Sequence, residues 1–236
     1  MVQDIFFQHR RRYGARRISI ELKDRGESCS RAKARKIMKQ TGLVAIQPKS
    51  FKPRTTESRH RLGYSPNLLL EGIEVEKVNQ VWVGDITYIP LPITFAYLAM
   101  LMDLYTRKII GWSLNLNMEE PLVIASLKQA IKARQPSPGL IHHTDRGGQY
   151  AGKKYRKIIS RSEMLQSMSR AGDCYDNAFM ESCFGTIKTE LEMTTYDSLE
   201  EAQKEISEYI NYYNVLRRHS AIDYLSPTSF EASLSH

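Results

Sequence analysis

Apolar positions change their spacing along the chain, and each change marks a different kind of element. Near the start the spacing is helical. Ile18 and Leu22 lie four apart ahead of Gly26, and Ala34, Ile37 and Met38 form a second stripe between Ser30 and Thr41-Gly42. Ser30 is placed to accept a bond from a free backbone N–H, and Gly42 suits the left-handed conformation that ends a helix. Two short helices around a turn are predicted, a helix-turn-helix-like unit whose second helix carries Arg31, Lys33, Arg35, Lys36 and Lys39. Residues 48–66 then lose all periodicity. Pro48, Pro53 and Pro66 punctuate Lys49, Lys52, Arg54, Arg59 and Arg61, the pattern of a basic linker.

From about Val75 the pattern is that of strands. Val81–Leu91, Phe95–Leu104 and Lys108–Leu116 are β-rich runs, with Tyr105-Thr106-Arg107 as a turn. Pro121–Arg134 reads as a helix striped by Val123, Leu127, Ala130 and Ile131. A strand over Gly139–Thr144, a helix near 151–161, a strand near 164–168 and a helix holding Glu181 follow. Ser198-Leu199-Glu200-Glu201 fits a capping box, and Leu199, Ala202, Ile206, Tyr209, Ile210 and Tyr213 form the apolar face of the helix it opens. The order predicts an α/β fold, a mixed sheet flanked by helices. The expected division is a basic helical region over 1–47, a linker over 48–74, a core over 75–190, and a C-terminal helix and tail over 191–236.

Charge sharpens this division. Residues 1–61 hold 17 Lys and Arg against 5 Asp and Glu, a net of +12, whereas residues 62–236 are net −4. A basic arm that meets nucleic acid, joined to a body with another task, is the implication. No apolar run approaches the roughly 18 residues of a membrane span, and no apolar segment follows the basic start as in a secretory leader. A cytoplasmic protein is expected. Cys29, Cys174 and Cys183 form no Cys-x-x-Cys pair, and together with His142 and His143 they match no common zinc spacing.

Three acids carry the candidate chemistry. Asp85 interrupts a strand, where Asp is unfavourable; Asp145 precedes Arg146-Gly147-Gly148; Glu181 follows Asp176-Asn177-Ala178-Phe179-Met180. Taken singly, Asp145 reads as a turn residue and Glu181 as a solvated helix residue. Together, 60 and then 36 residues apart, they have the spacing of a site in which oxygen ligands hold a pair of hard divalent cations at a phosphodiester. On the Glu181 helix, Asn177 and Lys188 fall on nearly the same face, so an amide, a carboxylate and an ammonium point together.

The segments Trp82–Ile89, His142–Tyr150, Gly172–Lys188 and Tyr213–Pro227 resemble the second reading-frame product of bacterial insertion-sequence transposases, specifically the insertion-sequence-three family. Tyr13-Gly14-Ala15-Arg16-Arg17-Ile18 resembles the start of that family's accessory helix-turn-helix region. The resemblance implies a ribonuclease H-like core similar to retroviral integrases, with Asp85, Asp145 and Glu181 as the metal-binding catalytic triad. It implies two Mg²⁺ ions, Mn²⁺ as a substitute, and DNA as substrate. Lys188 matches the basic residue seven positions after the glutamate, and Asn214-Val215-Leu216-Arg217-Arg218-His219 is similar to an Asn-x-x-Arg-Arg-His run. Lys188, Asn177, Arg217 and Arg218 are therefore the candidate DNA-binding residues. A homo-oligomer on DNA and an upstream-frame partner or fusion that binds the element ends are also implied. One departure is Ile222-Asp223-Tyr224, where the family usually has Leu-Gly-Tyr. Two other readings stay open: a non-catalytic protein that competes for element ends, and a ribonuclease H-type nuclease, which the basic arm disfavours.

Overall fold

Val2, Ile5 and Phe6 stand at helical spacing and seed a first helix, α1 (Val2–Gln8), which the pattern of the sequence did not predict. Two more helices follow, α2 (Ala15–Asp24) and α3 (Arg31–Gln40). The Ser30 hydroxyl accepts from the Lys33 N–H at 3.2 Å, the expected cap. Ile5, Phe6, Tyr13, Ile18, Leu22, Ala34 and Met38 close a small core of their own. In this computed structural model the described residues are 1–47, 63–170, 178–192 and 195–234. Most of the predicted linker thus lies outside them, as do Cys174 and Asn177.

The body is a five-stranded sheet of order β3-β2-β1-β4-β5. Its strands are β1 (Val81–Pro90), β2 (Phe95–Asp103), β3 (Ile109–Asn115), β4 (Ile141–Thr144) and β5 (Leu165–Met168). The first three form an antiparallel meander, and β4 and β5 add in parallel on the other edge of β1. The mixed sheet expected from the pattern is what forms.

Period-two alternation gives the sheet two apolar faces. Trp82, Ala99 and Leu101 face α4 (Glu120–Arg134), α5 (Gly148–Ala151) and α6 (Lys153–Arg161), which contribute Leu122, Val123, Leu127, Tyr150 and Tyr155. Val81, Val83, Leu98, Met100 and Met102 face the opposite side, covered by α7 (Ala178–Glu190) and α8 (Leu199–Val215). Gly111 lets α4 lie against β3, since a Cβ there would strike the Ser126 carbonyl.

The single helix expected near 151–161 is divided at Gly152, whose backbone is extended. Glu120 reaches across at that point, and its carboxylate accepts from the Tyr155 N–H at 2.9 Å. The Ser198 cap also forms: its hydroxyl accepts from Glu201 N–H at 3.1 Å, while the Glu201 carboxylate accepts from Asp197 N–H at 2.7 Å, one residue earlier than a standard capping box. The chain ends in α9 (Pro227–Ser233), where Glu231 pairs with Arg134 and with Lys108 at 2.6 Å. Among the described residues no helix is long and apolar enough to cross a membrane.

Candidate active site

Strands β1 and β4 run side by side until Gly84 stands opposite Thr144, where their pairing ends. The next residue on each is an acid, Asp85 and Asp145. A parallel register thus places two carboxylates together at the carboxyl end of β4, beside the middle of β1. Asp85 belongs to the Val81–Val83 face, the one α7 covers, and its Oδ1 accepts from the Ile86 N–H at 2.8 Å. The Asp145 Oδ1 accepts from the Gly147 N–H at 2.9 Å, which folds the chain back after β4.

The histidines beneath these acids are structural. His142 and His143 are fully buried in β4. His142 Nε2 bonds the Tyr155 hydroxyl at 2.6 Å, and His143 Nδ1 bonds the Ser167 hydroxyl at 2.8 Å, tying β4 to α6 and β5. Burial pushes the His142 imidazole down to about 3, so it stays neutral.

Helix α7 supplies the third acid. Met180, Cys183, Phe184 and Ile187, at i, i+3, i+4 and i+7, face the sheet. This leaves Glu181 exposed on the outer side. Lys188 is half-buried, its Nζ 3.8 Å over the Tyr88 ring of β1. Burial lowers its ammonium to about 8, against the opposing pull of Asp85.

Electrostatics link the three acids. Burial pushes the Asp85 carboxyl well above the usual range, and the charge of Asp145 pushes it further; the Ile86 bond opposes this, Glu181 adds to it, and Lys188 opposes it weakly. Asp85 is half-buried as a whole residue, and the two like charges alone give the same direction. The Tyr150 hydroxyl lies within the field of Asp85 and Asp145, is buried, and has no hydrogen-bond partner among the described residues. Among the described residues, no three His, Cys, Asp or Glu side chains stand close enough to hold a metal ion. The acids thus share a field without forming a closed ligand set.

Arg217 and Arg218, expected at phosphates, are paired with carboxylates inside the chain. Arg217 is 4% exposed and binds Glu190 through Nε and Nη2, the latter at 2.8 Å. Arg218 pairs with Glu21 at 2.7 Å and Asp24 at 2.6 Å. The positive charge left outward is elsewhere: Arg31, Lys33, Arg35, Lys36 and Lys39 on α3, and Lys153, Lys154, Lys157 and Arg161 on α6. All nine are exposed, and none forms an ion pair among the described residues. The α6 row was legible in the sequence as the face opposite Tyr155 and Ile159; Tyr150 sat inside the His142–Tyr150 motif without a sign of its role.

The comparisons agree with this architecture. The integrase core domain family matches residues 75–174 and a second integrase core domain family residues 162–227; an HTH-like domain family matches 2–51. An HTLV-2 integrase catalytic core solved in complex with magnesium superposes with a TM-score of 0.52 at 17% identity, covering 64% of this chain and 95% of that one. A simian T-cell lymphotropic virus intasome chain superposes with a TM-score of 0.53 at 16% identity, over 97% of this chain and 73% of that one. The fold is therefore that of a retroviral-type integrase core carrying an HTH-like region.

Relatives give the family. The chain is 38% identical to the transposase for insertion sequence element IS904 of Lactococcus lactis, over 98% of this chain and 91% of the relative. It is 40% identical to a 31 kDa protein of insertion element IS600 from Shigella sonnei, over 94% and 82%. It is 36% identical to transposase InsF of IS3A from Escherichia coli, over 96% and 79%. The chain belongs to the insertion-sequence transposases with an integrase core, and its function is DNA transposition.

Proposed function

We propose that the chain cuts and rejoins DNA at the ends of its insertion element with Asp85, Asp145 and Glu181 as the acids of the reaction. The observation that carries this reading is the point where β4 ends beside the middle of β1, which sets Asp85 beside Asp145 within the field of Glu181. The donor set is all carboxylate oxygen, the ligand class that hard cations require, and the buried like charges on Asp85 are what a divalent cation would neutralise. Mg²⁺, with Mn²⁺ as substitute, fits these residues. Two such ions held by the triad would act as Lewis acids and stabilise charge on the attacking and leaving oxygens.

The residues of the chain orient the rest. Lys188, held on the Tyr88 ring and near Asp85, can take a phosphate of the reacting strand. The exposed rows on α3 and α6 offer a path for the duplex backbone. Water attacks a phosphodiester at the element end and breaks its P–O3′ bond, freeing a 3′-OH; that hydroxyl attacks a second phosphodiester in line, forming a new P–O bond as the 3′-oxygen first bound to that phosphorus leaves. Orientation and charge neutralisation account for most of the rate. Assembly as a homo-oligomer on DNA, with an upstream-frame partner or fusion reading the ends, completes the proposal.

The test is strand transfer on end-bearing duplex with Mg²⁺, the upstream-frame product being supplied. Asp85→Asn, Asp145→Asn and Glu181→Gln should each abolish transfer while leaving the fold intact. A folded single variant that keeps wild-type turnover removes that acid from the site.

A further inference from the structure

Two motifs of the chain, the Tyr13–Ile18 run and the Asn214–His219 run, converge on one carboxylate that the reaction does not use. Glu190 is the last residue of α7, nine residues beyond Glu181, or roughly 13–14 Å along the helix at 1.5 Å per residue. It is buried. Arg217 binds it through Nε at 3.0 Å to both carboxylate oxygens and through Nη2 at 2.8 Å. The Tyr209 hydroxyl of α8 donates to it at 3.0 Å, and Arg17 of α2 stands at 3.7 Å. Arg12, between α1 and α2, donates from Nε to the Glu190 backbone carbonyl at 3.2 Å. That bond satisfies a carbonyl the helix end leaves free and sets a cation at the negative end of the helix.

The same junction is packed as well as charged. The Arg12 guanidinium lies over Tyr209 at 4.9 Å and Tyr212 at 4.7 Å. His9 stacks on Tyr13 at 3.8 Å and bonds the Tyr212 hydroxyl at 3.1 Å. The Tyr13 hydroxyl donates to the Leu216 carbonyl at 3.2 Å and accepts from the Arg218 N–H at 2.9 Å. The Tyr13–Ile18 run and the Arg217-Arg218 pair thus serve as the two halves of a dock.

We propose that Glu190 is a positioning residue: it clamps the end of the helix that carries Glu181 and Lys188 to the basic N-terminal unit, so that duplex held by that unit meets the acids in one geometry. This rests on the reading of Glu181 as a member of the triad. The one carboxylate answers the Arg217 and Arg17 guanidinium groups together, so its loss loosens α7 from both the C-terminal segment and α2 at once, with the Arg12 bond to the backbone carbonyl left in place. A buried ion pair is weak evidence for stability, and fixing one arrangement is the role that remains for it here.

The test uses the full chain and Glu190→Gln, which keeps an accepting oxygen for Tyr209 and removes the charge, with Glu190→Asp as the variant that restores charge. Rates are measured per folded molecule at saturating end-bearing DNA, beside affinity for a random-sequence duplex and amide exchange. Glu190→Gln should lower the saturating rate roughly ten- to hundredfold, the scale of a small misplacement, with duplex affinity nearly unchanged. Exchange should quicken in the last turn of α7 and in residues 9–17 together, and Glu190→Asp should recover part of the rate. A wild-type rate for Glu190→Gln overturns the proposal, as does faster exchange confined to α7. If Glu190→Gln does not fold, Arg17→Gln is measured in the same way from the other side of the dock, and its wild-type rate also overturns it. Glu181→Gln run in parallel separates the two readings: an active Glu181→Gln sinks the triad, whereas an inactive one beside a wild-type Glu190→Gln sinks only the clamp.

Discussion

At its C-terminal end α7 presents Glu190 to three guanidinium groups and a tyrosine hydroxyl, while toward its N-terminal end Glu181 stands exposed in the field of two further acids. One helix therefore ends in a matched carboxylate and begins in a mismatched group of them. A folding chain has every reason to match buried charge, because an uncompensated one costs several kcal/mol. The like charges gathered at Asp85, Asp145 and Glu181 suit the proposed cation site, and the opposite charges gathered at Glu190 suit a structural joint.

Substitution at the mismatched end should separate activity from stability most widely. Asp85→Asn, Asp145→Asn and Glu181→Gln are each expected to reduce strand transfer by about a thousandfold or more, the scale of lost charge stabilisation at a reacting phosphate. In metal-free buffer Asp85→Asn should melt at or above the wild-type temperature, because it removes repulsion from Asp145 and Glu181. Mg²⁺ should raise the melting temperature of the wild type and not of the variant lacking all three acids, since only a folded site binds it. A clear drop in melting temperature for Asp85→Asn would make that acid a structural partner.

At the matched end the order reverses. Glu190→Ala leaves Arg217 and Arg17 without their carboxylate in a buried setting, and a loss of about 3–5 kcal/mol is expected. For a chain of this size that corresponds to a melting temperature lower by roughly 6–20 °C. Thermal melts of wild type and Glu190→Ala decide it. A change within the error of the melts would show that water or another acid takes over the pairing.

The same comparison explains how far the sequence could be read. Ser30, Ser198 and the alternation of Val81–Val83 act through near neighbours or through a period, so the caps, the strand runs and the mixed sheet were legible. The proposed triad rests in the sequence on the spacing of the three acids and on the motifs around them, because singly only Asp85, in a strand, is unusual where it stands. The junction was not. Arg217 and Glu190 lie 27 residues apart, and Arg12 lies 178 residues from Glu190, so no local pattern reveals that these cations have partners. A basic run reads as a solvated or DNA-facing surface until the fold brings a carboxylate to it. Helix α1 escaped for a local reason: it has seven residues and no side-chain cap to announce it. The break at Gly152 depended on Glu120 from another helix.

The junction should also be sensitive to acid. Burial lowers His9 and His219 to about 4, and His9 is stacked in the dock itself. With a folded value below the unfolded 6.5, the folded chain binds fewer protons. The stability contributed is whole above pH 6.5 and is lost as pH falls toward 4. For His9 about 1–2 kcal/mol is expected across that window, less than the shift alone implies because solvent and neighbours relax around the new charge. His9→Phe keeps a ring against Tyr13 and cannot titrate, so its melting temperature should fall less steeply between about pH 7 and pH 4. Equal slopes for both proteins would place the acid sensitivity elsewhere.

Smallest in stability, and most informative about DNA, are the cations that the junction leaves outward. Arg31, Lys33, Arg35, Lys36 and Lys39 on α3 are exposed, whereas Arg12, Arg17, Arg217 and Arg218 are paired or packed. Replacing Lys33, Arg35, Lys36 and Lys39 together by Ala removes charge without touching Ala34 or Met38, the residues of α3 that face the core. Melting should be unchanged, since surface positions away from packing contribute little. Random-duplex affinity should fall, and the log–log dependence on salt should flatten by about 0.9 for each phosphate that is no longer neutralised. The same change to Lys153, Lys154, Lys157 and Arg161 reports on α6. If only the α3 variant flattens the slope, the duplex lies along the N-terminal unit; if only the α6 variant does, it lies along the core. An unchanged slope in both would move the backbone interactions off these two helices altogether, and the contrast between engaged and outward arginines would then carry no information about DNA.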